Sequence, residues 1–258
     1  MMGAVAAAPG PPAEQAGGDP FERWCRLRAS GGERVSMIRL YTMVAEPRGL
    51  QAHELPPAER AALAERALAV VFPGWETVPG SDRRTDLVRV VPYDPAWPGR
   101  FQAWRDRLAR RLGATALRIE HVGSTSVPGL AAKPIVDIQV SVADMDREDT
   151  YVPPCQAAGL QLRSRDREHR YFRPPADRRR DVHVHVCTAG RHWERVHLLF
   201  RDYLRANPPA CDAYAAMKRE AAARWRDDRL AYTEAKSDLI LDLLDQAERW
   251  AAGRHWPG

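Results

Sequence analysis

Two stretches in the middle of the chain alternate strictly between apolar and polar side chains. Across residues 135–142, Val136, Ile138, Val140 and Val142 fall on one side, with Asp137, Gln139 and Ser141 on the other. Residues 180–187 repeat the pattern, with Val182, Val184 and Val186 opposite Asp181, His183, His185 and Cys187. A period of two marks a half-buried strand. Two such strands commit the chain to a sheet with one apolar face. The other face then carries a carboxylate and two imidazoles, so we expect the strands to be neighbours around one cleft.

Helical spacing accounts for much of the remainder. Phe101, Trp104, Leu108 and Leu112 share a face across 97–112, and Gly113 ends that helix. Pro56-Pro57 opens another that runs to about Val71, with proline where its missing N–H is harmless. Short strands are expected at 87–91, 116–122, near 160–164 and around Tyr171, with a short helix at 154–158 and a polar loop at 143–150. Beyond Gly190 the pattern is helical, in three pieces near 191–206, 209–226 and 233–251. Leu239, Ile240, Leu243 and Leu244 form a core face there. Residues 34–45 suit strand and helix equally. The class is α+β, a small mixed sheet with flanking helices and a helical C-terminal half. Residues 1–30, rich in Ala, Pro and Gly, read as a disordered tail, and 31–86 as a small N-terminal extension.

Composition excludes several roles. With 258 residues, 45% of them hydrophobic and 28% charged, the chain is ordinary globular material. No apolar run approaches the roughly 18 residues of a membrane helix, and no charged leader precedes the alanines of 1–12. The four cysteines are scattered without a CxxC pair, so a reduced cytoplasmic setting is expected. The net charge of +5 is mild, and no basic block or basic–aromatic stripe points to nucleic acid. One bias is more telling. Only three of the 39 basic residues are lysines: Lys133, Lys218 and Lys236. Where arginine supplies generic positive charge, a surviving lysine is a candidate for a task needing a compact ammonium.

The segment from Glu120 to Val140 carries the chemistry. Gly123-Ser124 after a strand lets backbone amides and a hydroxyl approach a phosphate, and Asp137 could hold a metal bridging it. On spacing alone, Gly-Ser is a common turn and an outward aspartate is usually solvated. His183 and His185 could join Asp137 in a metal site, serve as general base, or be strand histidines bonded locally. Asp181 could be a ligand or orient an imidazole. Glu120 and His121 could orient substrate or merely end a strand. The Arg178-Arg179-Arg180 run reads as a solvated hairpin tip rather than a binding site.

From Leu87 to about Ala251 the chain resembles the GrpB family, a branch of the nucleotidyltransferase-fold superfamily. The resemblance lies in Tyr93-Asp94-Pro95-Ala96-Trp97, the Glu120–Leu130 run, Lys133-Pro134-Ile135-Val136-Asp137, Arg170-Tyr171-Phe172, His183-Val184-His185-Val186, Phe200-Arg201-Asp202-Tyr203-Leu204 and Tyr232-Thr233-Glu234-Ala235-Lys236. It implies a nucleotidyltransferase-like domain over 87–251. The implied reaction moves a nucleotidyl or phosphoryl group from ATP or another NTP to a small acceptor, with an acyl-adenylate route to an amide as a variant. Gly123, Ser124 and Thr125 would cradle phosphates, and Lys133, Arg170, Lys218 and Lys236 would neutralise them. Asp137, His183, His185 and Glu120 would be catalytic, the first three also holding Mg²⁺, Mn²⁺ or Zn²⁺. The superfamily's second acid is replaced by Gln139, a poor ligand for a hard cation. The alternative is therefore a non-catalytic nucleotide- or coenzyme-binding module with a degenerate metal site.

Overall fold

The computed structural model describes residues 19–30, 36–71, 76–78, 87–254 and 256. They fall into two units, divided between Leu55 and Pro56.

The first unit contains helices α1 (Pro20–Ala29) and α2 (Met37–Ala45). The expected tail over 1–30 is thus corrected for its described part, residues 1–18 lying outside the described residues. Asp19 caps α1 by accepting the Phe21 N–H, and Pro20 stands in the first turn. Trp24 is fully buried and donates its indole N–H to the Ser36 carbonyl at 2.8 Å. A tryptophan is the largest apolar surface a single residue can bring to such a helix. Helix settles the open reading of 34–45 over its described residues, 36–45: Ser36 caps α2, and Met37, Leu40, Tyr41 and Val44 pack along one face.

The second unit begins with α3 (Pro57–Val71), as its sequence indicates. Its sheet has strands β1 (Glu76–Thr77), β2 (Arg118–Val122), β3 (Val136–Val142), β4 (Gln161–Arg165), β5 (His169–Arg173) and β6 (Val182–Thr188). Their order is β1-β4-β5-β6-β3-β2. The two alternating strands, β3 and β6, are indeed neighbours and run parallel, while the other pairs are antiparallel. Their register sets Asp137 beside His183 and Gln139 beside His185.

The valines of both strands, with Ile138 and Phe172, form a core with Leu108 and Leu112 of α4 (Trp97–Leu112) and Cys155 of α5 (Val152–Ala157). The opposite face is buried as well. Helix α6 (His192–Ala206) places Glu194 on the Ser141 hydroxyl, and Gln139 and Ser141 are fully buried. Helices α7 (Pro208–Arg224), α8 (Arg229–Glu234) and α9 (Ser237–Ala252) complete the C-terminal half. Leu243, with Leu239 and Ile240 beside it, packs in their core as its spacing suggests.

Two further expectations are corrected. Residues 87–91 form no strand: only Val91 bridges to Ala132, and the Val88 N–H goes to the Arg226 carbonyl. The last helix expected at 233–251 belongs to two, α8 and α9, separated at Ala235–Lys236. Among the described residues, no helix is long and apolar enough to cross a membrane.

Candidate functional site

The site is built where β2 ends against β3. Gly123 leaves β2 with φ 66° and ψ −173°, a conformation essentially confined to glycine. A Cβ there would meet Asp137 Oδ2 at 2.6 Å, so the turn lies directly on the carboxylate. The Ser126 hydroxyl closes the turn onto the Gly123 carbonyl at 2.6 Å, and Ser124 shares the cavity wall with Tyr214. Thr125 is buried, its hydroxyl 3.0 Å from His121 Nε2. Two arginines one turn apart on α6 hold the assembly from outside. Arg205 donates to the Ser126 carbonyl at 3.1 and 2.8 Å, while Arg201 reaches Glu120 at 2.7 Å and the His121 carbonyl at 3.2 Å.

Asp137 faces both imidazoles. His183 Nδ1 lies 3.1 Å and His185 Nε2 3.9 Å from its Oδ1. One ligand atom from each of the three residues lies within 4.8 Å of the others. Burial alone would raise the Asp137 carboxyl; the hydrogen bond from His183 and the nearness of His185 outweigh it and hold it well below the usual carboxylate range. Burial also lowers both histidines to about 4, against the pull of Asp137, so the rings are neutral near pH 7. Arg180 decides one tautomer. Its Nε donates to His183 Nε2 at 3.0 Å, and a guanidinium can only donate. The His183 proton therefore sits on Nδ1, toward Asp137. Behind them, His185 packs between Tyr171 and Trp193, with centroids 5.2 Å away on both sides.

The three lysines meet here. Lys133, Lys218 and Lys236 line one cavity of about 180 Å³ together with Gly123, Ser124 and Asp137. Each ammonium rests over an aromatic ring: Lys218 over Tyr214 at 4.5 Å, and Lys236 and Lys133 over Tyr232 at 4.3 and 5.1 Å. The Lys218 amine is buried without a hydrogen-bond partner. Burial, reinforced by repulsion from Lys236, lowers Lys133 and Lys218 to about 7; burial lowers Lys236 to about 8.

Of the residues singled out in the sequence, the cavity gathers Gly123, Ser124, Thr125, Lys133, Asp137, His183, Lys218 and Lys236. His185 adjoins it through Asp137. Glu120 is held by Arg201 instead. Arg170 is also elsewhere: its guanidinium binds Glu148 and Asp146 at 2.7 Å each and the Asp166 carbonyl at 2.6 Å. Sequence reasoning missed Tyr214, Tyr232 and Arg180. Both tyrosines stand four residues before a lysine on the same helix or its end, the spacing that stacks side chains on one face, so the lysines themselves pointed to them. Arg180, half-buried, precedes β6 and lies outside its alternation.

Residues 87–246 match the family model described as GrpB protein. A UPF0157 protein of Streptomyces coelicolor is 45% identical over 155 residues, 60% of this chain and 81% of that protein. A dephospho-CoA kinase of Mycobacterium tuberculosis is 34% identical over 194 residues, which span 65% of this chain and 48% of the kinase. Among solved structures, the conserved protein GrpB from Enterococcus faecalis aligns with a TM-score of 0.56 at 32% identity, covering 63% of this chain and 99% of that one.

Proposed function

Since the chain belongs to the GrpB family and has its nucleotidyltransferase-like fold, we propose that it binds a nucleoside triphosphate by its phosphates and transfers a nucleotidyl or phosphoryl group to a small acceptor. The observation that carries this reading is the convergence of all three lysines on one cavity beside the Gly123 turn. Three ammonium groups held together against their own repulsion suit a ligand bearing several negative charges. At about 180 Å³ the cavity fits a phosphate chain, well below the roughly 300 Å³ at which whole-ligand pockets begin, so the nucleoside would lie outside it. The dephospho-CoA kinase relatives favour a nucleotide-related setting.

Gly123, Ser124 and Thr125 would shape the phosphate end, and the lysines would neutralise charge moving toward the leaving group. A pair of Mg²⁺ ions does not fit, because the residue beside His185 on β3 is the neutral, fully buried Gln139. Asp137 and His185 fit one cation, and imidazole suits Mn²⁺ or Zn²⁺ better than Mg²⁺. Such an ion would polarise a phosphoryl oxygen. His183 orients Asp137 through Nδ1; its Nε2 could accept the acceptor's proton once released by Arg180.

The test is incubation with each NTP, Mn²⁺ or Mg²⁺, and a pool of small metabolites, with release of pyrophosphate or nucleoside diphosphate as readout. Turnover is expected, with Lys236→Gln and Asp137→Asn each reducing it at least a hundredfold. Tight NTP binding without turnover would favour the binding-module reading, for which buried Gln139 is the specific argument.

A further inference from the structure

The turn between β5 and β6 encloses a second cavity, of about 170 Å³. Four arginines line it, Arg173, Arg178, Arg179 and Arg180, together with Pro174 and Pro175. Neither carboxylate of the turn, Asp177 or Asp181, is among its walls. Arg173 is buried at the end of β5, and burial together with repulsion from Arg180, Arg163 and Arg229 lowers it to about 10. Arginines from separate elements are thus crowded against one another. Arg180 supplies an independent observation. Its Nε serves His183 and one Nη serves the Tyr171 hydroxyl at 3.2 Å, but the other Nη is buried without a hydrogen-bond partner. A buried donor of a charged group costs stability unless an acceptor meets it.

We propose that this turn is a second anion site, that it takes a phosphate monoester on the acceptor molecule, and that Arg180 couples it to His183. The identity of the ligand as acceptor rests on the transferase reading; the anion site itself does not. The volume admits a phosphate group. Several guanidiniums, with no carboxylate among the described lining residues, match its charge of −1.5 to −2 better than the single charge of a carboxylate. Two consecutive prolines fix the backbone of the wall, so little ordering is needed on binding. A phosphate that draws on Arg180 competes with His183 Nε2 for the same guanidinium. An anion held in the turn is thereby felt at the His183 ring through the one guanidinium they share.

The experiment is calorimetric titration of the full chain with inorganic phosphate, alongside the Lys236→Gln and Arg178→Gln/Arg179→Gln variants. Arg178 and Arg179 are exposed, so the double variant should keep the parent's melting temperature. Two phosphates per chain are expected in the parent, one weakened at least tenfold in each variant. Imidazole ¹⁵N shifts should report loss of the Arg180 bond to His183 on phosphate addition, and this response should vanish in the arginine double variant. A parent that binds one phosphate, weakened by Lys236→Gln and untouched in the arginine variant, overturns the proposal. A parent that binds one, weakened only in the arginine variant, upholds this site and overturns the nucleotide reading instead. His183 shifts that ignore phosphate remove the coupling.

Discussion

Gly123 shows how much rests on a missing side chain. It combines a glycine-only backbone with contact against the Asp137 carboxylate. Gly123→Ala must therefore either change the turn or push Asp137 from both histidines. A loss of about 2 kcal/mol or more is expected, measured by urea denaturation, together with loss of phosphate binding. Gly123 and Asp137 were legible in the sequence because a turn glycine and a strand aspartate announce themselves locally. The ion pairs that consumed Glu120 and Arg170 were not. Their partners, Arg201 and Glu148, stand 81 and 22 residues away, and no local pattern encodes such a distance. Arg180 was underrated for the opposite reason, because a run of three arginines resembles a solvated tip when its neighbours in space are unknown.

At the scale of elements, α4 was readable to its ends, since one apolar stripe and a terminal glycine at φ 53° define it without help from elsewhere. Residues 87–91 have the composition of a strand, but strand formation depends on an available partner edge, and β2 and β1 bound the sheet without them. The interruption before α9 was hidden because apolar spacing continues across it. Helix α3, outside the family match, braces this region. Arg60 is buried and meets Asp227 at 2.6 Å and Asp228 at 3.4 Å, and Asp228 in turn caps α8. Because Asp227 is partly exposed, screening reduces the value of the pair. Arg60→Ala should cost about 1–3 kcal/mol in chemical denaturation, with Arg60→Lys intermediate because it keeps the charge but not the fork.

On the scale of the whole molecule, the C-terminal helices turn a sheet expected to be half-solvated into one covered on both faces. That covering is what lowers the lysines from an ordinary 10.5 to about 7 for Lys133 and Lys218 and about 8 for Lys236. The sign follows from proton counting. Above pH 7 the unfolded chain holds more protons on these amines than the folded one, so folding stability should rise with pH. The gain is complete above the unfolded value and lost as pH falls through the folded values. The clean window is pH 7 to about 8.5, since the buried Cys155 and Cys187 thiols, raised to about 12, oppose the trend once unfolded thiols ionise. Melting temperatures should climb across that window in the free protein. Saturating pyrophosphate, by favouring the charged amines, should flatten or reverse the slope and be accompanied by proton uptake. A rising slope unaffected by pyrophosphate would separate the lysines from anion binding.

The placement of the lysines also makes the chain unusually simple to interrogate covalently. All of its side-chain amines line a single cavity, and near pH 8 a sizeable fraction of them is unprotonated and nucleophilic. An acylating reagent small enough to enter would therefore modify this cavity and the N-terminal amine. The stoichiometry of labelling, read by intact mass, becomes a direct gauge of occupancy, in which a bound metabolite reveals itself by what it shields.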